Sequence, residues 1–246
     1  MTITFLGTKG GTGTTTMAVN CAAEMRRISG RSTLIVDAKP GPGDVAVFLG
    51  LRPRHSLIDF IDQVAWNDPA QAKRFVAEHT CGLHVLGAAE GFGRPGVRDA
   101  EGVEQVLRCF ALLYDHVVID AGTTLTAGAV SALTMSDLVM LVANPDVPCL
   151  RNLQRLSDAL KLAGVAPERV QIVLNRTSEN GLLLLPQIEQ VLGRSIEFQV
   201  TSDYKTVAAS INTGVPINCL RTTELQLQVE AIARTLVAAR AVAAAS

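Results

Sequence analysis

A short stretch near the start of the chain, Thr8-Lys9-Gly10-Gly11-Thr12-Gly13-Thr14-Thr15-Thr16, combines glycines, hydroxyls and one lysine between an apolar run and a helical pattern. Glycine admits positive φ and close backbone approach, and the free N–H groups at a helix start point at an anion. The chemistry this suggests is the holding of phosphate oxygens by the N–H groups of Gly10, Gly11, Thr12, Gly13, Thr14, Thr15 and Thr16. Asp120 closes a later apolar run, where a carboxylate can hold a Mg²⁺-bound water, and Asp37 closes another. The plainer reading of Asp120 is a turn or helix-capping carboxylate, and that of Asn175, also at the end of an apolar run, is a turn residue.

The general phosphate-loop pattern is G-x-x-x-x-G-K-[ST]. Aligned on Gly13, this chain has Thr8 in place of the first glycine and Thr14 in place of the lysine. Thr15, whose hydroxyl would face Mg²⁺, is in register. Read strictly, the pattern is broken.

These residues need strand ends and a helix start to hold them. Short, nearly continuous apolar runs predict strands over Thr2–Gly7, Thr33–Asp37, Leu83–Gly87, His116–Asp120, Leu138–Ala143, Val170–Asn175 and Ile196–Val200. Helical patterns lie between them, over Thr15–Ser29, Ser56–Val64, Pro69–His79, Gly102–Leu113, Leu150–Ala163, Leu184–Leu192, Tyr204–Asn212 and Thr223–Ala244. Ser202-Asp203 is the expected cap of the second-last helix. The alternation predicts an α/β fold: one doubly wound domain over residues 1–246, with a mainly parallel sheet and helices on both faces.

The Lys9-Gly10-Gly11-x-Gly13 core resembles the deviant Walker A loop of the MinD/ParA class of P-loop ATPases. Its Gly13-Thr14-Thr15-Thr16 ending, without a second lysine, is similar to the CpaE/TadZ branch, which helps place type IVb (Flp/Tad) pilus machinery. The likeness continues through Gly43-Asp44-Val45-Ala46, Leu49-Gly50-Leu51, His55-Ser56-Leu57, Gly82 to Leu86, Tyr114 to Asp120, Leu150-Arg151-Asn152, Val173 to Arg176, and Ser202 to Pro216. The resemblance implies ATP or ADP with Mg²⁺ as cofactors. It also implies Lys9 reaching across a nucleotide-sandwich homodimer to the partner's phosphates, Thr15, Asp37 and Asp120 around the metal, and Asn175 on the adenine. Pilus-assembly or polar-localisation proteins are the implied partners. Proteins of this branch commonly carry a receiver-like domain ahead of the ATPase domain; with a first strand at Thr2, the ATPase domain by itself is expected.

The sequence departs from that family at a second place. Asp37 matches the first acid of the family's D-x-D switch, but Lys39 falls where the second, water-orienting acid belongs. Phosphoryl transfer depends largely on positioning and electrostatics, so this exchange predicts slow or absent hydrolysis. Lys39 is a candidate for the phosphate-binding charge absent at position 14, and Asp44 for a replacement acid.

Composition bounds the alternatives. The 246 residues carry 22 Lys+Arg against 23 Asp+Glu and are 48% apolar, which excludes a disordered chain and argues against a generally nucleic-acid-coating surface. Small basic groups at Arg26, Arg27 and Arg31, and at Arg52 and Arg54, read as solvated faces. The last helix, with Leu225, Leu227, Val229, Ile232, Leu236 and Val237 inward and only Arg234 and Arg240 as cations, reads as core packing rather than a membrane anchor. A cytoplasmic protein is expected, recruited by partners to the inner membrane or cell pole, with no direct membrane binding. The dispersed Cys21, Cys81, Cys109, Cys149 and Cys219 read as buried small hydrophobes. Two other functions compete: an active ParA/MinD-like partitioning or cell-division ATPase, and a nucleotide-free dimerisation scaffold.

Overall fold

A computed structural model describes residues 1–39, 41–63, 69–88, 100–178, 181 and 183–243. Among these residues one eight-stranded sheet runs β3-β4-β2-β5-β1-β6-β7-β8. The strands are β1 (Thr2–Gly7), β2 (Thr33–Asp37), β3 (Ala77–Glu78), β4 (His84–Leu86), β5 (His116–Asp120), β6 (Leu138–Ala143), β7 (Val170–Thr177) and β8 (Phe198–Thr201). All pairings are parallel except β3 with β4. Every residue of β1, β2 and β5 is buried, as their unbroken apolar character predicts for strands covered on both faces.

The helices are α1 (Thr14–Ser29), α2 (Val45–Phe48), α3 (Leu57–Gln63), α4 (Pro69–Ala72), α5 (Ala100–Leu113), α6 (Ala127–Met135), α7 (Val147–Leu162), α8 (Leu185–Leu192), α9 (Tyr204–Thr213) and α10 (Glu224–Ala243). One apolar core joins α1 and α10 to the sheet through Met17, Cys21, Ile3, Phe5, Val229 and Leu236. A second sits under α3, α5 and α6 around Phe60, Phe110 and Val117. The expected inward stripe of α10 holds except at Leu227, which is 55% exposed. Leu225 and Val229 already cover the α1 side, and Leu227 lies off that face.

Four expectations need correction. The single helix expected over Pro69–His79 is instead α4, a 3-10 turn at Lys73–Phe75 and the edge strand β3. Pairing with β4 satisfies the backbone there, a tertiary gain that no local period signals. Helix α6 was not anticipated, because its face is built from Gly128, Ala129, Ala132 and Leu133 and lacks a strong apolar stripe. Helix α7 begins three residues before the expected Leu150, since Pro148 is tolerated in a first turn and Asp146 caps it. Of the cysteines, Cys21 and Cys149 are buried, Cys81 and Cys109 are half-buried, and Cys219 is exposed. Val64 and Ala244, the expected ends of two helices, lie outside the described residues.

Strand order reverses at β1: the chain leaves it for β2 on one side and later adds β6, β7 and β8 on the other. The crevice beyond the carboxyl ends of strands at such a switch point is where α/β sheets bind ligands. The loop after β1 opens there, with the ends of β2 and β5 alongside.

Candidate functional site

The loop from Thr8 to Gly13 is tied down from beneath and open above. A Cβ on Gly7 would run into the hydroxyls of Thr12 and Thr14 and the methyl of Thr123, so the chain turns off β1 where only glycine fits. The Thr12 hydroxyl donates to the Lys9 carbonyl at 3.0 Å, Asn152 Nδ2 to the Thr8 carbonyl at 3.0 Å, and Asn175 Nδ2 to the Thr12 carbonyl at 2.7 Å. A Cβ on Gly10 or Gly11 would meet nothing within 4 Å. Gly13 caps α1 at φ 89° and ψ 23° with no side-chain hydrogen bond, and the first turn carries no acid. An uncapped helix start under an open glycine loop fits an anion, and phosphate oxygens match it in size and charge.

Gly13→Ala tests that geometry. The substitution strains a left-handed residue and drives a methyl into the Asn175 amide, so a stability loss of about 1–3 kcal/mol is expected in urea unfolding. An unchanged midpoint would contradict the close packing of loop and β7.

Asp37 and Asp120 close adjacent strands in register, both fully buried. Asp120 Oδ2 accepts the Thr15 hydroxyl at 2.6 Å and Oδ1 the Gly122 N–H at 3.0 Å. Asp37 Oδ1 accepts the Lys39 N–H at 3.2 Å and Oδ2 the Val45 N–H at 3.1 Å. Burial, then the neighbouring Asp120, pushes the Asp37 carboxyl up to about 7. Burial likewise raises Asp120, against the hydrogen bonds from Thr15 and Gly122. Two buried carboxylates side by side call for a cation or a proton. Two carboxylates and a hydroxyl fit Mg²⁺, which keeps waters and takes phosphate oxygens rather than filling its shell from protein. Among the described residues no group of three or more His, Cys, Asp or Glu could hold a metal alone.

Lys39 follows Asp37 by two residues and crosses the same crevice. Its stem lies over Gly122, where a Cβ would come within 3.0 Å of Lys39 Cγ, and its ammonium is ion-paired with Asp44. The hydrogen bond to Asp44 raises the lysine pKa above its ordinary value. Gly43 next to Asp44 is required as glycine, because a Cβ would collide with the Asp37 carboxylate. Sequence alone left the direction of Asp44 open; the structure turns it to Lys39.

Lys9 lies outside that cluster. Its ammonium is 3.0 Å from Asp146 Oδ2 and 3.3 Å from Oδ1, and the hydrogen bond raises its pKa. Asp146 also caps α7 through the Cys149 N–H at 2.9 Å, and despite burial these bonds hold its carboxyl below the usual range. Sequence reasoning missed Asp146. An Asp followed by Pro148 in a first turn was visible as a helix cap, but its link to Lys9 spans 137 positions and has no local signature.

Most of the chain matches a known domain. Residues 3–217 match the family described as the CobQ/CobB/MinD/ParA nucleotide binding domain. The chain belongs to this family. The septum site-determining protein MinD of Thermotoga maritima is 21% identical over 235 residues, 93% of this chain and 84% of that protein. A ParA family ATPase from Chlorobium tepidum superposes with a TM-score of 0.89 at 23% identity, covering 96% of this chain and 98% of the other. MinD from Pyrococcus horikoshii, solved as a Mg-ADP complex, superposes with a TM-score of 0.81 at 22% identity and covers 96% of each chain. The mainly parallel sheet flanked by helices is the MinD/ParA P-loop fold. Among the described residues no helix is long and apolar enough to cross a membrane.

Proposed function

We propose that the protein is an ATP-binding positioning switch of the CpaE/TadZ type, which dimerises around nucleotide, helps place type IVb (Flp/Tad) pilus machinery, and turns ATP over slowly or not at all. The observation that carries this reading is the Lys39–Asp44 ion pair beside Asp37 and Asp120. It supports slow turnover, because the family resemblance expects a water-orienting carboxylate at position 39. The N–H groups of Gly10 to Thr16 receive the phosphates, Asn175 serves the adenine, and Thr15, Asp37 and Asp120 hold the metal. Mg²⁺ held there would neutralise phosphate charge. Lys9 leaves Asp146 and reaches the phosphates of the second copy. ATP acts as a switch by binding the dimer-competent conformation more tightly than the other.

Light scattering with and without Mg-ATP tests it. A dimer with ATP is expected, lost in Lys9→Ala, and a monomer under both conditions would overturn the sandwich. Asp146→Asn removes the competing partner of Lys9, so half-maximal dimerisation is expected at a few-fold lower ATP concentration. The pilus assignment predicts co-purification with Flp/Tad assembly proteins that depends on ATP.

A second reading, a cycling partitioning or division ATPase, is supported by the likeness to MinD and by the Thr15–Asp120 hydrogen bond. Hydrolysis at the rate ordinary for the class, abolished by Asp120→Asn and unaffected by Asp44→Asn, would favour it over slow turnover. Isothermal titration with ATP and ADP separates both from a nucleotide-free scaffold.

A further inference from the structure

Lys39 holds its ammonium at the crevice, and its placement has consequences for which form of the nucleotide the site accepts. The phosphate loop has Thr14 where a phosphate-binding lysine would be expected, and that hydroxyl is turned back to Thr12 at 3.2 Å. Lys9 is engaged by Asp146 on the far side of the loop. Lys39 reaches over Gly122, in the turn that follows Asp120, and stands two residues after Asp37, whose strand end is in register with that of Asp120. Asp44, an ion-pair partner of that ammonium, has a half-exposed carboxylate at the rim. Asp44 can turn to water without leaving a buried carboxylate behind, whereas Asp37 and Asp120 are fully buried.

We infer that Lys39 is a tethered counter-ion for the phosphate tail: a nucleoside triphosphate displaces Asp44 from the Lys39 ammonium, and the site binds it with little need for a divalent cation. This rests on the nucleotide-binding reading above and adds its metal requirement. A lysine is a compact point charge suited to phosphate oxygens, and it offsets the repulsion that two buried carboxylates would impose on a metal-free triphosphate. Asp44 is then a positioning residue, holding the ammonium over the crevice until phosphate replaces it.

The test is isothermal titration of ATP into the full chain, in Mg²⁺ and in EDTA, for the wild type, Lys39→Arg and Lys39→Met, with thermal melts confirming that each is folded. Removing Mg²⁺ is expected to weaken wild-type and Lys39→Arg binding by less than about tenfold, and Lys39→Met by at least about tenfold more than that. A wild-type loss beyond about tenfold, or the same loss in Lys39→Met as in the wild type, overturns the inference while leaving nucleotide binding intact. Absence of ATP binding by the wild type in both buffers overturns the nucleotide reading itself, and this inference with it.

Discussion

Lys39→Asp is expected to raise steady-state ATP turnover in Mg²⁺ by about 10²-fold over the wild type. The substitution removes the ammonium now paired with Asp44 and places a carboxylate two residues after Asp37, beside the paired buried acids. A carboxylate there can orient the attacking water, and misplacement of a reacting group by about 1 Å costs roughly that factor. The same change adds an acid next to two buried carboxylates, so the variant is expected to melt lower in EDTA and recover in Mg²⁺. Phosphate release measured in single turnover, with Asp120→Asn in the same background as the control, separates chemistry from product release. Turnover unchanged from wild type would place the limit on hydrolysis elsewhere, with the missing lysine at Thr14 as the first suspect.

The second large effect is on stability. Asp37 has a carboxyl pKa of about 7 against an ordinary 3.8, through burial and the adjacent Asp120. A group whose pKa is raised on folding binds more protons in the folded state, so its contribution is complete below about pH 4 and is lost as pH rises through about 7. That interval corresponds to about 4 kcal/mol for an isolated group. Asp37→Asn removes the ionisation but offers one carbonyl oxygen to the two N–H donors of Lys39 and Val45, which costs about 1 kcal/mol. The net expectation at pH 8 is a gain of about 2–3 kcal/mol over the wild type, shrinking to a small loss near pH 4. Urea unfolding of both proteins across that range checks it; parallel stability curves would show that folding does not shift the Asp37 pKa.

These effects fall where sequence reading worked unevenly. The loop from Thr8 to Thr16 was legible as a glycine turn opening a helix because its residues are contiguous, and the conformational demand of Gly13 is local. Asp37 and Asp120 were legible because each ends an unbroken apolar run, and the parallel sheet brings such ends together. Asn175 was singled out for the end of its strand, but its hydrogen bond to the Thr12 carbonyl, which pins the loop to β7, was not foreseeable. The partner of Lys9 was missed entirely. The Pro69–His79 error has the same origin: a two-residue edge strand exists only because β4 is there to pair with it.

From its sequence alone the protein could be read as an alternating α/β chain with a glycine-rich phosphate loop, two strand-end acids and a lysine at position 39, because period, apolar runs and turn chemistry are properties of neighbouring residues. Tertiary structure alone decided how the charges are matched. Lys9 is given to Asp146, Lys39 to Asp44, and Asp37 is left beside Asp120 with its proton held to about neutral pH. Lys9 and Asp146, like Asp37 and Asp120, meet across long stretches of chain because parallel strands deliver their carboxyl ends to one crevice. Even the short-range Lys39–Asp44 contact depends on that crevice, with Gly122 beneath the lysine and Asp37 against Gly43. Electrostatic energy depends on distance and burial rather than on sequence order, so a near-neutral total of 22 cations and 23 anions carried no record of the arrangement.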